Sequence, residues 1–482
     1  MSHRRTALLA AATLACGTPV ALSAIAAPPT CGSQLAPPKL SFGDRVVIDP
    51  QRPGGEPVAV VAQDGSISVS AHGGTTHLYK DPAALATSAA DLTSTYTNQT
   101  LNWRSNDNGK TWSYVGLAGG RTGPHTATST GFSDPDFAMD AGGRIYNTEI
   151  DLANVAVFSS GDDGQTYSRG VAEVTSGDRP WLTAGRKDEV YLYVNMPRQI
   201  MRSTDGGLTW GLQSHSGDAL PVAKFFVHPK QPDTLLGPNG NGAVTISTDQ
   251  GKTWKAYGGA GLGPTNDKFG ALAVDRAGYV YRAAAGGYTG PNDAKAEDGT
   301  VTFNSFDPAT KKWAKPVTIP TVEGDMLWPW VTAGDDGRVA VAWLQREPKD
   351  KANFDIWVAA TTSARGTTVR CANGSTRFVP PRWTVANATK GRFHRGAICQ
   401  AGTGCNASTG DPGDRRIGDF FSVAYDKAGR IFVVGGATAG LGDQQRAISA
   451  PIFIAAESGP KLLKKPMRTR PTRPTCGLDP LC

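Results

Sequence analysis

Charged side chains that stand outside any repeat are where chemistry should be sought in this chain. Asp134 and Asp136 lie together in SDPDFA, Asp178 and Arg179 in GDRPW, and Asp325 in EGDMLWPW. Arg415, Arg416 and Asp419 follow in DRRIGDFF, and Lys224, Asp267 and Lys268 fall between these groups. A second set comprises Glu149, Asp151, Arg198, Tyr288, Arg346, Glu347 and Arg446. Carboxyl groups of this kind give or take protons, and guanidinium forks hold carboxylates through paired hydrogen bonds. Asp136 is the acid/base candidate. Arg179, Arg346 and Arg415 are candidates for gripping an acidic group, with Asp178 and Asp419 as further substrate contacts. His394 is a possible proton carrier and substrate contact. The competing reading is that these charges pair with one another and simply rim a channel.

The elements that would position them are strands. Four copies of one phrase recur at roughly 40–55-residue intervals, the spacing of propellers and solenoids. They contain Ser105, Asp107, Gly109, Thr111 and Trp112; Ser160, Asp162, Gly164, Thr166 and Tyr167; Ser203, Asp205, Gly207, Thr209 and Trp210; and Ser247, Asp249, Gly251, Thr253 and Trp254. Ser305, Asp307 and Trp313 form a decayed fifth copy. The aspartate can accept backbone amides of its own turn, glycine supplies positive φ, and the aromatic ring packs between sheets. A second repeat is out of phase with the first. DAGGRIYNTE, DRAGYVYRA, DDGRVAVAW and DKAGRIFVV each place a tight turn between two apolar strands.

Together these repeats predict an all-β, single β-propeller of four-stranded antiparallel blades. Seven blades fit best, with first strands near 57, 136, 180, 224, 269, 328 and 419; six is the alternative. DRVVIDP (44–50) should complete the last blade and close the ring, removing open edges. The repeated turns then fall on one face. The unrepeated charges gather at the other, where the loops 72–100 and 390–416 could cover them.

The bulk numbers agree with a turn-rich β protein: 482 residues, 19% charged, 58 glycines and 33 prolines. Of the net charge of +7, Arg4 and Arg5 carry two and the segment from Lys461 carries five. The body is therefore neutral, which excludes a phosphate-binding surface and so nucleic acid as partner; the basic tail is expected to be solvated. Residues 1–26 read as an export signal, with Arg4-Arg5 before an apolar run and a small-residue cleavage site, and the protein is expected to be secreted. Lipidation at Cys16 is the lesser alternative. A linker (27–43), the propeller (44–460) and the basic tail (461–482) would follow. No later stretch reaches the roughly 18 apolar residues of a membrane helix. The six cysteines beyond the signal suggest disulfides: Cys399 with Cys405, Cys476 with Cys482, and Cys31 with Cys371 by elimination. No zinc spacing is present, no cofactor is implied, and structural calcium stays open. A monomer is expected.

WPWVTAGDDGRVAVAWLQRE and DRRIGDFFSVAYDKAGRIFVV, with the repeated phrase, resemble the sialidase-like Asp-box repeat family over about residues 57–456. The resemblance implies an exo-acting glycosidase on a terminal acidic sugar of a glycan. It further implies three arginines on the sugar carboxylate, a Tyr–Glu nucleophile pair and an aspartate as acid/base. Tyr288 with Glu347 or Glu149 would be the pair. The Arg-Ile-Pro of sialidases has no counterpart beyond DRVVIDP. A lyase on a uronic-acid polymer, using Tyr288 and His394, and a non-catalytic binding propeller remain alternatives.

Overall fold

The computed structural model describes residues 31–32, 36–52, 54–72, 100–117, 134–151, 154–175, 177–217, 219–262, 269–288, 299–400, 414–441 and 449–476. Asp267, Lys268, Arg446, Cys405, Cys482, the expected export signal and most of the 72–100 loop lie outside these residues.

Seven antiparallel sheets follow one another along the chain. Blade 1 comprises Gly55–Val61, Ile67–His72, Thr100–Ser105 and Ser113–Leu117. Blade 2 comprises Asp136–Met139, Ile145–Asp151, Asn154–Ser160 and Ser168–Thr175. Blade 3 has Trp181–Ala184, Val190–Val194, Gln199–Ser203 and Gly211–His215. Blade 4 has Phe226–His228, Gln231–Pro238, Val244–Ser247 and Lys255–Tyr257. In blade 5, Leu272–Val274, Val280–Ala285 and Val301–Asp307 are edged by Lys312–Trp313 and Val317–Thr318. Blade 6 contains Asp325–Ala333, Val339–Arg346, Asn353–Thr361 and Thr384–Asn387, with His394–Arg395 on the third strand. Blade 7 contains Ser422–Tyr425, Ile431–Ala437 and Ala450–Ser458. First strands touch in blade order and the seventh meets the first, so the fold is a seven-bladed β-propeller.

Closure follows the sequence expectation. Val46 pairs with Phe453 and Val47 with Ile452, supplying blade 7 with its outer strand. A second short strand, Ser41–Phe42, expected to be linker, pairs with Ser458 and Ala456.

The repeated phrase forms the hairpin between third and fourth strands. At Asp107, Oδ1 accepts the Lys110 and Thr111 amides at 3.0 and 2.9 Å, and Oδ2 accepts the Thr111 hydroxyl. The Gly109 amide donates to Ser105 Oγ at 2.8 Å, and Trp112 Nε1 to the Gly109 carbonyl at 3.1 Å. Gly109 has φ 85°, and a Cβ there would lie 2.1 Å from the Phe453 ring of blade 7. Trp112 packs on that ring at 5.5 Å between centroids, so the hairpin also joins two blades. The pattern repeats around Asp162, Asp205 and Asp249. In the decayed copy, Asp307 accepts the Ala309 amide and the Thr310 hydroxyl.

The segment Leu462–Cys476, expected to be a solvated end, is instead pinned across the face that carries these hairpins. Leu462 and Leu463 are buried, and Leu462 accepts the Asp335 amide of blade 6 at 2.8 Å. Met467 and Arg470 donate backbone amides to Lys427 of blade 7 and Gln63 of blade 1. At blade 2, Arg473 donates to Asp163 Oδ2 through its amide and to the Gly161 and Gly142 carbonyls through its guanidinium.

A separate small unit contains the hairpin Thr367–Arg370 and Thr376–Val379, tied by a Cys31–Cys371 disulfide, the pairing reached by elimination. Cys399 and Cys476 are each disulfide-bonded; their expected partners lie outside the described residues. No helix among the described residues is long and apolar enough to cross a membrane.

Candidate active site

In four blades a left-handed residue followed by proline stands before or within the first strand. The left-handed residues are Glu56, Asp134, Arg179 and Trp328, with φ of 51, 53, 50 and 50°. Residues with side chains rarely adopt this region, and a following proline favours extended backbone, so each turn is strained. Such strain clusters at functional sites. Here it places three charged residues at the hub mouth, on the face away from the hairpins.

Glu56 is the buried centre of this mouth. One carboxylate oxygen lies 3.1 Å from His72 Nε2 and accepts the Asp134 amide at 3.3 Å. The other accepts the Asp419 amide at 2.6 Å and lies 3.5 Å from Arg415. Arg415 also pairs with Asp419. Burial opposes ionisation of Glu56, but His72 and Arg415 outweigh it and hold its carboxyl below the usual range. Asp134 moves the other way. Burial and then the Glu56 charge hold it well above the carboxylate range, with Asp178 adding to the effect and Arg415 opposing it. Asp134 therefore resists ionisation beside a carboxyl that favours it, and Asp134 keeps partial exposure at the rim. Across the mouth, Arg179 is one-third exposed (33%), 3.8 Å from Asp178, with its guanidinium 5.0 Å from the Phe269 ring centre.

Four aromatic rings from different blades meet in the channel. Trp181, Phe269, Trp330 and Phe420 all contact one another, with centroid separations from 5.4 to 6.1 Å. Trp181, Phe269 and Trp330 line a cavity of about 220 Å³ with the Asp136–Lys224 ion pair. The Trp181 and Trp330 indole N–H groups have no acceptor among the described residues.

A sialidase from Micromonospora viridifaciens is 27% identical over 312 residues, 58% of this chain. The chain is similar to that sialidase over part of its length, and its own fold is a seven-bladed β-propeller. The match spans 40% of that sialidase's own length. No protein-family model matches the chain. Among solved structures, a GH74 xyloglucanase from Xanthomonas campestris is 15% identical, with a TM-score of 0.44 over 83% of this chain and 52% of that one. An alpha-L-arabinanase from Penicillium chrysogenum is 12% identical, with a TM-score of 0.39 over 88% and 99%. A Hadza microbial sialidase is 15% identical, with a TM-score of 0.37 over 61% and 63%.

In this propeller the residues expected from sequence fall into distinct groups. Asp178, Arg179, Arg415 and Asp419 share the mouth cluster with Asp134. Asp136 is buried in the channel wall, where Lys224 Nζ reaches both its oxygens at 2.7 and 2.8 Å and the Leu182 amide donates at 2.8 Å. Arg346 belongs to a second group. Its Nε donates to Asp325 Oδ2 at 2.9 Å, and its guanidinium lies 5.1 Å from the Tyr288 ring centre. Tyr288 is fully buried, packs on Phe354 and accepts the Ile398 amide at 3.3 Å. Glu149 is buried at the end of the second strand of blade 2. Glu347 is half-buried; burial and then the charges of Asp355 and Asp350 raise its carboxyl. His394 lies not in a covering loop but in the extra strand of blade 6, fully buried, with Nδ1 2.7 Å from Thr438 Oγ1. Burial lowers its pKa against the opposing charge of Asp414.

Sequence reading passed over Glu56 and His72. The signal was present: Glu56-Pro57 repeats the charged-residue–proline entry of Asp134-Pro135 and Arg179-Pro180. Among the described residues no group of three or more acidic, His or Cys side chains is arranged to hold a metal ion.

Proposed function

We propose that this propeller is a glycoside hydrolase that removes a terminal, carboxylate-bearing sugar from a glycan at the hub mouth. The observation that carries the reading is Asp134, a partly exposed carboxyl set against the buried Glu56 carboxylate, whose charge opposes its ionisation. Asp134, in place of the enclosed Asp136, donates its proton to the leaving glycosidic oxygen. Asp178, with its side chain 38% exposed, is the second carboxylate that such chemistry requires. Arg179 is the exposed guanidinium that meets the sugar carboxylate. Glu56 is enclosed and acts as a positioning residue, holding the proton on Asp134. The sialidase relative supports the substrate class. The lyase reading draws no support, because Tyr288 and His394 are both enclosed. We also read the repeated hairpins as Asp-boxes and the Cys31–Cys371 disulfide as favouring an oxidising, extracytoplasmic location.

The test is a panel of aryl glycosides that includes a sialylated one, run on the wild-type protein and on Asp134→Asn. Release of aryl alcohol from the acidic glycoside is expected. Asp134→Asn should lose about a hundredfold or more in kcat while melting where the wild type does. Full turnover by Asp134→Asn would overturn the assignment. Binding without turnover across the panel would overturn the hydrolase reading in favour of a non-catalytic propeller.

A further inference from the structure

Between residues 461 and 470 the strap Leu462–Cys476 is held by main-chain hydrogen bonds and by the Leu462, Leu463 and Met467 side chains. The Lys464 amide donates to Asp335 Oδ2 at 2.7 Å, the Leu462 amide to the Gly429 carbonyl at 2.7 Å, and the Lys461 carbonyl accepts Arg338. The Met467 and Arg470 amides do the same work over blades 7 and 1. The side chains of Lys461, Lys464, Lys465, Arg468 and Arg470 are therefore not used as anchors. All five residues are exposed, and none makes an ion pair among the described residues. Extended, this stretch covers at most about 30 Å. It lays a row of cations, with no acidic residue between them, over a body that is otherwise neutral. Lys427 beneath the strap registers the crowding. Burial lowers its pKa and Asp64 opposes that, while Arg276 and Arg470 push it down further.

We propose that this row is a docking strip for a linear anionic polysaccharide, on the face opposite the hub mouth. Three features point to a polysaccharide over other polyanions. The strap from Lys461 to Cys476 has no aromatic side chain on which a nucleic-acid base could stack. Its two leucines are turned inward and buried, leaving no exposed leucine to enter a lipid surface. The anchors spread the row over blades 6, 7 and 1, which suits a chain with charges spaced along one edge. Binding through exposed ammonium and guanidinium groups is electrostatic and weakens with salt. The strip does not depend on which chemistry the mouth performs.

The test measures binding of a heparin decasaccharide to the full chain by calorimetry at two salt concentrations. Parallel arms use a single-stranded oligonucleotide of equal charge and vesicles of phosphatidylcholine with phosphatidylserine. The variant combines Lys464→Gln, Lys465→Gln, Arg468→Gln and Arg470→Gln, none of which removes a main-chain anchor. Salt-sensitive binding of the decasaccharide, weakened about tenfold or more in the variant at an unchanged melting temperature, is expected. Equal binding by the variant would overturn the proposal, as would an oligonucleotide or vesicle affinity matching that of the decasaccharide.

Discussion

Asp134 and Glu56 stand 78 residues apart in the chain, yet the Asp134 amide donates to the Glu56 carboxylate at 3.3 Å and the Glu56 charge raises the Asp134 carboxyl. The raised carboxyl of Asp134 sets the sign of a pH effect. An acid catalyst works while protonated, so activity should fall as pH rises through the elevated Asp134 value. Glu56→Gln removes the adjacent negative charge, and the alkaline limb of the pH–kcat/KM profile should move to lower pH; an unmoved limb would assign it to another group. The charged positions of this mouth were largely legible in the sequence, because unrepeated residues at first-strand starts have one place to go in a propeller. Their pairings were not. That Arg415 is spent on Glu56 and Asp419, and Arg346 on Asp325, depends on contacts between distant segments. Nothing in residue type distinguishes such arginines from Arg179, which stays exposed.

The hairpin is the best-read element, because its logic is confined to eight residues and recurs. Burial nudges Asp107 upward, but hydrogen bonds from Thr111, Ser105 and Lys110 outweigh it and hold the carboxyl at about 2. A depressed carboxyl contributes stability above its unfolded value, near 3.9. That contribution should be lost as pH falls from about 4 to about 2, which acid titration followed by near-ultraviolet circular dichroism would register. Asp205→Ala removes the same bonds in blade 3 and should cost about 1–2 kcal/mol, seen as a lower urea midpoint with kcat unchanged. A loss of kcat without a loss of stability would place that hairpin in the working face. The strained entries into the first strands were less legible. A charged residue before proline reads locally as extended chain, and the left-handed turn follows only from packing against the neighbouring blade.

Two devices hold the ring as a whole: the Val46–Val47 strand in blade 7 and the strap that runs over blades 6, 7, 1 and 2. The first was readable from an apolar segment with no sheet of its own. The second was hidden, because a run of lysines and arginines between prolines has the composition of a free end, and its anchors are main-chain groups that composition does not reveal. Arg473→Ala deletes two guanidinium contacts to carbonyls of blade 2 and should cost about 1–3 kcal/mol, with faster hydrogen exchange at Gly161–Asp163. Protection equal to the wild type would mean the strap is held elsewhere. The four packed rings at the hub have a kinematic consequence. With Trp181, Phe269, Trp330 and Phe420 filling the axle, no polymer strand threads the wheel, so whatever enters the mouth must back out the way it came. Such a dead-end pocket suits trimming from a chain tip or side branch, one encounter at a time, and bars any ratcheting along a strand pulled through.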